Sequence, residues 1–356
     1  MMFIALRDLR FAKGRFGLVG SVIALMTFMV VMLTGLTAGL GAASVSAINA
    51  LPVDRIAFAQ PADGQDVSFT TSTLPPDTGQ RLATKPGVTA AHPIGIATGQ
   101  LRAGANTEAV SMFGTDPDLY PTRESGQPPG PAQVAIGTTL ADDAHLKPGD
   151  QIELTGQRLT VAAIVDDTSF NHLPVVYTSI DTWQRITRSD TITAVGLRLN
   201  GASAASLAAA TDLHVLDKDA AFAAVGAYSS EQGSLNLMRG LLIAVSVLIV
   251  GSFFTVWTMQ RAGDLAVVRA IGGSRGYLLR DALGQATLVL LAGAAAGGAV
   301  ASAAGIFAAA VVPFQLTAGN VLVPVAAMIG VGLLGAVASV RRVTTVDPLT
   351  ALGAAR

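Results

Sequence analysis

The run ALGQATLVLLAGAAAGGAVASAAGIFAAAVVPFQLTAGNVLVPVAAMIGVGLLGAVASV, residues 282–340, contains no Asp, Glu, Lys or Arg. A bilayer core of about 30 Å is crossed by roughly 20 helical residues, so a run of this length holds two crossings and a short turn. Two further uncharged runs, 16–53 and 240–260, hold one crossing each. Across the 356 residues only 13% are charged while 51% are hydrophobic. That is about half the charge fraction of an ordinary soluble protein, which argues against a soluble globular enzyme.

The predicted fold class is an α-helical membrane protein with four transmembrane helices and a large α/β extracellular domain between the first and second. Residues 1–15 read as a cytoplasmic amphipathic helix, with Met2, Leu6 and Leu9 beside Arg7 and Arg10. Transmembrane helix 1 with a stalk occupies 16–53, and the extracellular domain 54–230. A second stalk and transmembrane helix 2 follow over 231–260, then a cytoplasmic coupling loop or helix over 261–281. Transmembrane helices 3 and 4 take 282–306 and 321–340, joined by an outer loop at 307–320. A cytoplasmic tail, 341–356, ends the chain.

The net charge of −1 resolves by side. The N-terminal segment, the 261–281 loop and the tail together hold 11 basic and 4 acidic residues, or +7. The remainder holds 12 basic and 20 acidic residues, or −8. The positive-inside rule then puts both termini and the loop in the cytoplasm of a bacterial cell membrane. A cleaved leader is the competing reading of the start. The apolar run from Phe16 to Ala43 exceeds the roughly 7–15 residues of a leader's core, so span one is expected to remain as an anchor. The chain has no cysteine, and a domain of this size buries a core without disulfides.

Within the outer domain, Leu140 and Ala144 mark a helix, and Pro148-Gly149-Asp150 a turn. Alternating strands at Gln151–Leu154 and Leu159–Ile164 follow, then a buried strand at Val175-Val176-Tyr177 and a helix near Thr182–Ile186. There is no P-loop and no His-Glu-x-x-His, and the one Gly-x-Ser-x-Gly string, Gly272-Gly273-Ser274-Arg275-Gly276, lies in the basic loop between two apolar spans and not after a strand, so no ATP site or catalytic elbow of these kinds is expected. The four histidines, His92, His145, His172 and His214, lack ligand spacing and read as ordinary domain residues. Nothing suggests a nucleic-acid partner. Gly35/Gly39 and Gly293/Gly297 are spaced for close helix contact, or simply reflect a chain with 38 glycines.

After span two comes Arg261-Ala262-Gly263-Asp264-Leu265-Ala266-Val267-Val268-Arg269-Ala270-Ile271-Gly272-Gly273-Ser274. It reads as a short helix at the membrane surface, apolar at Leu265, Val268 and Ile271, with Arg261 and Arg269 free. The tail carries Asp347-Pro348-Leu349-Thr350-Ala351-Leu352. These segments, with Leu146-x-x-Gly-Asp-x-Ile152-x-Leu-x-Gly-x-x-Leu-x-Val161, resemble the permeases of ABC transporters of the MacB/FtsX/LolE type. Asp264 stands where that family usually has Glu, Gly273 where it has Ala, and Gly353 where Arg is frequent. The resemblance implies a permease homodimer embedded in membrane lipid and working with two copies of a separate ABC ATPase. That partner binds and hydrolyses the ATP, so the chain itself is a transport subunit with no catalytic residues. Arg261, Asp264, Leu265, Val268, Arg269, Ile271 and Gly272 would form the ATPase-coupling surface, and force would reach the stalks by mechanical transmission.

A narrower resemblance starts at Tyr228-Ser-Ser-Glu231-Gln-Gly-Ser-Leu235-Asn-Leu-Met238 and continues through Phe253-Phe254 and Met259-Gln260. It is to the HrtB haem-exporting permeases of Gram-positive bacteria, and it implies haem as the transported ligand rather than a permanent cofactor. A carboxylate at an apolar boundary is costly unless paired or used. In a two-fold dimer, two Glu231 carboxylates would face each other and ligate a haem iron. Leu235, Met238, Ile48 and Leu51 would wall the macrocycle, and Arg239 would meet the propionates. The competing reading has Glu231 capping the positive end of helix two and Arg239 snorkelling. Another amphipathic cargo (antimicrobial peptide, lipid or lipoprotein) or an FtsX-like signalling subunit controlling a cell-wall hydrolase stays open as a function.

Overall fold

The computed structural model describes residues 13–104, 106–201, 204–260 and 275–344. The chain divides into two units, Met1–Gly39 with Gly233–Arg356, and Leu40–Gln232. The helices are α1 (Lys13–Ala50), α2 (Thr78–Ala83), α3 (Thr138–Asp143), α4 (Ile180–Thr187), α5 (Ala204–Thr211), α6 (Gly226–Gln260), α7 (Arg275–Ala308) and α8 (Ala318–Thr344). Four of them are long and apolar enough to cross a membrane: Phe16–Ala50, Gly226–Phe253, Leu283–Ala308 and Ala318–Ala338.

In the helical unit, Phe16, Val19 and Ile23 of α1 pack with Val250 of α6, Ala286, Val289, Leu290 and Ala294 of α7, and Ala336 of α8. The paired glycines sit where backbones approach. A Cβ on Gly293 would lie 2.8 Å from the Gly20 carbonyl oxygen, and one on Gly297 would collide with the Ala24 backbone. Gly35 and Gly39 likewise face Phe314 and the Pro313 carbonyl. Without a hydrophobic driving force between helices in lipid, such close contact supplies the packing energy, so the spacing has the contact meaning.

The second unit holds the strands β1 (Arg55–Ala59), β2 (Val88–Ala103), β3 (Asn106–Thr115), β4 (Arg123–Gly126), β5 (Gln133–Gly137), β6 (Gln151–Leu154), β7 (Gln157–Val165), β8 (Ser169–Phe170), β9 (Leu173–Thr178), β10 (Ala194–Leu199) and β11 (Leu213–Asp217). Their order is β11-β1-β10-β2-β3-β9-β5-β7-β4, with β6 paired to both β2 and β7 and β8 paired to β9. The β6 pairings close β2, β3, β9, β5, β7 and β6 into a ring. Strand β7 shows why the alternation in sequence is legible: Leu159, Val161, Ala163 and Val165 are buried while the residues between them are not. Trp183 of α4 lies flat on β2 and β3, where a Cβ on Gly95 would sit 2.6 Å from its ring and one on Gly114 closer still. Glycine at both positions is what admits the indole.

The core next to the end of α1 is aromatic. Ring centroids run Phe58–Phe69 at 4.8 Å, Phe69–Phe170 at 5.6 Å, Phe170–Phe113 at 5.4 Å, and Phe113–Tyr177 at 5.8 Å. The Tyr177 hydroxyl is 2.8 Å from the Thr168 hydroxyl, and burial pushes its ionisation well above the ordinary value of 10. A raised pKa means that the folded state holds this proton more tightly than the unfolded chain. The stability tied to it is complete below about pH 10 and declines as pH rises further. The thermal midpoint of the full chain is expected to fall above that pH, and Tyr177→Phe to blunt the fall, as read by differential scanning fluorimetry.

Candidate functional site

The distinctive polar cluster of the second unit forms at the tip of the β8–β9 hairpin. Phe170 pairs with Leu173, leaving Asn171 and His172 as a two-residue turn, with φ of 51° and 62°. Two successive residues at positive φ make the turn that matches the twist of paired strands. Asn tolerates this conformation, and His does so better than most residues.

Each residue of the turn grips two helices. The Asn171 N–H donates to the Ser44 carbonyl of α1 at 3.0 Å, and its side-chain oxygen accepts from the Ala227 N–H of α6 at 3.3 Å. His172 Nε2 lies 3.0 Å from the Ser44 hydroxyl and 2.7 Å from Oε1 of Glu231. Two residues before the turn, the Ser169 N–H donates to the Ser46 hydroxyl at 2.7 Å. An ionised carboxylate only accepts, so Nε2 carries the proton donated to Glu231. The His172 and Glu231 side chains are both one-third exposed, yet Glu231 Oε2 is buried without a hydrogen-bond partner. At the end of α1, Lys218 donates to the Asn49 and Leu51 carbonyls at 3.1 and 3.2 Å. There its positive charge meets the negative end of the helix dipole.

The structure distributes the sequence-derived site residues unevenly. Glu231 sits on α6, five residues after its first residue Gly226, and the first turn has no acidic residue. Glu231 therefore does not cap the helix, and the capping alternative is set aside: orphan N–H groups are confined to the first turn. Leu235, Met238 and Arg239 follow on the same helix. Leu235 is half-buried, Met238 is exposed, and Arg239 donates to the side chain of Asn236. Ile48 and Leu51 are corrected in role. They are fully buried in the aromatic core with Phe58, Phe113 and Tyr177, so their surface is spent inside the domain and offers no wall to a macrocycle. Arg261, Asp264, Leu265, Val268, Arg269, Ile271 and Gly272 lie outside the described residues, as does the amphipathic segment before residue 13. Among the described residues no three His, Cys, Asp or Glu side chains converge to hold a free metal ion.

Sequence reasoning missed His172. The signal available was a two-residue Asn-His step between Phe170 and Leu173, which marks a hairpin. What the tip meets is set by chain pairing across 59 residues, which no local pattern reports.

Four apolar helices with an α/β domain between the first and second define a multi-pass membrane protein. The MacB-like periplasmic core domain matches residues 18–213, and the FtsX-like permease C-terminal domain matches 236–348. The chain belongs to the MacB/FtsX family of ABC transporter permeases, proteins that operate with an ATPase partner. An uncharacterized ABC transporter permease of Mycobacterium tuberculosis is 29% identical over 99% of both chains. A protein named for a hemin transport system, the permease HrtB of Staphylococcus haemolyticus, is 24% identical over 99% of both. The crystallised periplasmic region of MacB from Actinobacillus actinomycetemcomitans aligns with 49% of this chain and 92% of its own, at 13% identity and a TM-score of 0.38.

Proposed function

We propose that this permease exports haem from the membrane, as a homodimer driven by two copies of a separate ATPase that carries out the hydrolysis. The basic flanks favour an orientation with both termini and the 261–281 loop in the cytoplasm. That loop would receive the ATPase's motion and pass it to α1 and α6. The observation that carries the reading is Glu231: a carboxylate on an apolar helix, with one oxygen buried and unpartnered. Leaving a charged group part-satisfied costs free energy, and a ferric iron held by the accessible oxygen would offset that cost through its opposite charge. Leu235, Met238 and Arg239 follow it along the helix as further contacts.

The dimer reading draws on α6. Its apolar window is 11% buried, against 44% for that of α7. Leu237, Leu241, Val245, Leu248, Val256 and Met259 are exposed along it at helical spacing. A second copy of α6, related by a two-fold axis, would cover this stripe and bring two Glu231 carboxylates to face each other.

The test is a hemin titration of the purified full chain, read in the Soret band, for wild type and Glu231→Gln. The wild type is expected to give a saturable shift. The variant is expected to give none at hemin concentrations up to about ten-fold higher, a loss of about 1.4 kcal/mol or more. Equal spectra from the two proteins would reject Glu231 as the ligand and leave another amphipathic cargo as the better reading.

A further inference from the structure

We infer that His172 is a built-in competitor for Glu231, holding the carboxylate closed until substrate displaces it. The inference rests on the haem reading above and adds to it the step by which the site opens. In the arrangement seen, neither carboxylate oxygen is available to a ligand. Oε1 is taken by His172 Nε2 at 2.7 Å, and Oε2 is buried. An iron atom approaching Glu231 therefore needs the His172 contact to break first.

The surroundings make that contact breakable. Nε2 is shared between Glu231 and the Ser44 hydroxyl at 3.0 Å, so on release the imidazole retains a partner. His172 also sits at the end of its hairpin in a backbone conformation with φ of 62°. The neighbouring contacts of Asn171 and Ser169 hold the hairpin independently. The imidazole can thus swing away while the tip stays docked, and the 33% exposure of both side chains gives it room. His172 is in this sense a positioning residue. It sets the fraction of time for which Glu231 is free, and apparent affinity scales with that fraction.

The experiment is the same hemin titration on the full chain, extended to His172→Ala and to the double variant His172→Ala/Glu231→Gln. Removal of the competitor is expected to tighten hemin binding about ten-fold, the factor for a pair closed about nine-tenths of the time. The double variant is expected to bind no better than Glu231→Gln. A residue that only supports the fold would weaken binding when removed, so the direction of the change is the diagnostic. If Glu231→Gln abolishes binding while His172→Ala leaves it unchanged or weaker, the competitor role is overturned and the haem reading stands. If Glu231→Gln binds hemin as the wild type does, both fall together.

Discussion

Gly297→Leu is expected to remove most of the folded protein from the membrane fraction, whereas Gly330→Leu is expected to leave it near the wild-type amount. Both glycines lie in apolar helices, on α7 and α8, and leucine is a better helix former than glycine by most of 1 kcal/mol. On propensity alone both changes should help. The difference lies in what the new side chain meets. At Gly297 it meets the backbone of Ala24 on α1, whereas at Gly330 nothing lies within 4 Å. A side chain in the way can rotate aside, but a helix backbone cannot, so α1 and α7 must separate. Overpacking commonly costs about 1–3 kcal/mol, and the rigid neighbour puts this case at or above the upper end. Loss of the contact also uncovers Ile23 and Ala294, which pack in the same cluster. Quantification of detergent-soluble, monodisperse protein by size-exclusion chromatography reads the result. Equal recovery of the two variants would show that the α1–α7 contact does not hold the unit together.

The second large effect is expected at Phe113. It is fully buried on β3, a strand hydrogen-bonded on both sides by β2 and β9, and its ring contacts Phe170 and Tyr177. Truncation to alanine leaves a cavity between paired strands that cannot collapse into it, which costs about 3–5 kcal/mol. For a domain whose total stability is about 5–15 kcal/mol this is a large share. Trp183 is buried in the same unit, so denaturant titration of the full chain followed by tryptophan fluorescence reports the change. A shift equivalent to less than about 1 kcal/mol would mean that the surrounding core refills the space.

The spans were legible because charge is excluded from a bilayer core, and a water-soluble fold rarely leaves so long a run of residues without a charge. The strands over Gln151–Val165 were legible because one face of a sheet is buried, which writes alternation into the sequence. Glu231 stood out as the last acidic residue before an apolar run. Its neighbours were harder to read. Ile48 and Leu51 belong to an uncharged stretch that reads as membrane or stalk, and an apolar side chain carries no mark of whether lipid, ligand or core will cover it. In the folded chain they are core. His172 was hidden for a different reason. Its partners, Ser44 and Glu231, lie 128 and 59 residues away, and only the pairing of β8 with β9 delivers it to them.

The ring formed by β2, β3, β9, β5, β7 and β6 governs how the α/β domain bears a load. Strand β9 carries the hairpin tip that grips Ser44 and Ala227, and it lies between parallel β3 and antiparallel β5. A pull on the tip along the strand loads the hydrogen bonds to both neighbours in shear, all at once, instead of peeling them one at a time from an end. Because these strands close on themselves, no free edge inside the ring is available where tearing would begin. The domain thus answers a tug at Asn171 and His172 as one stiff body.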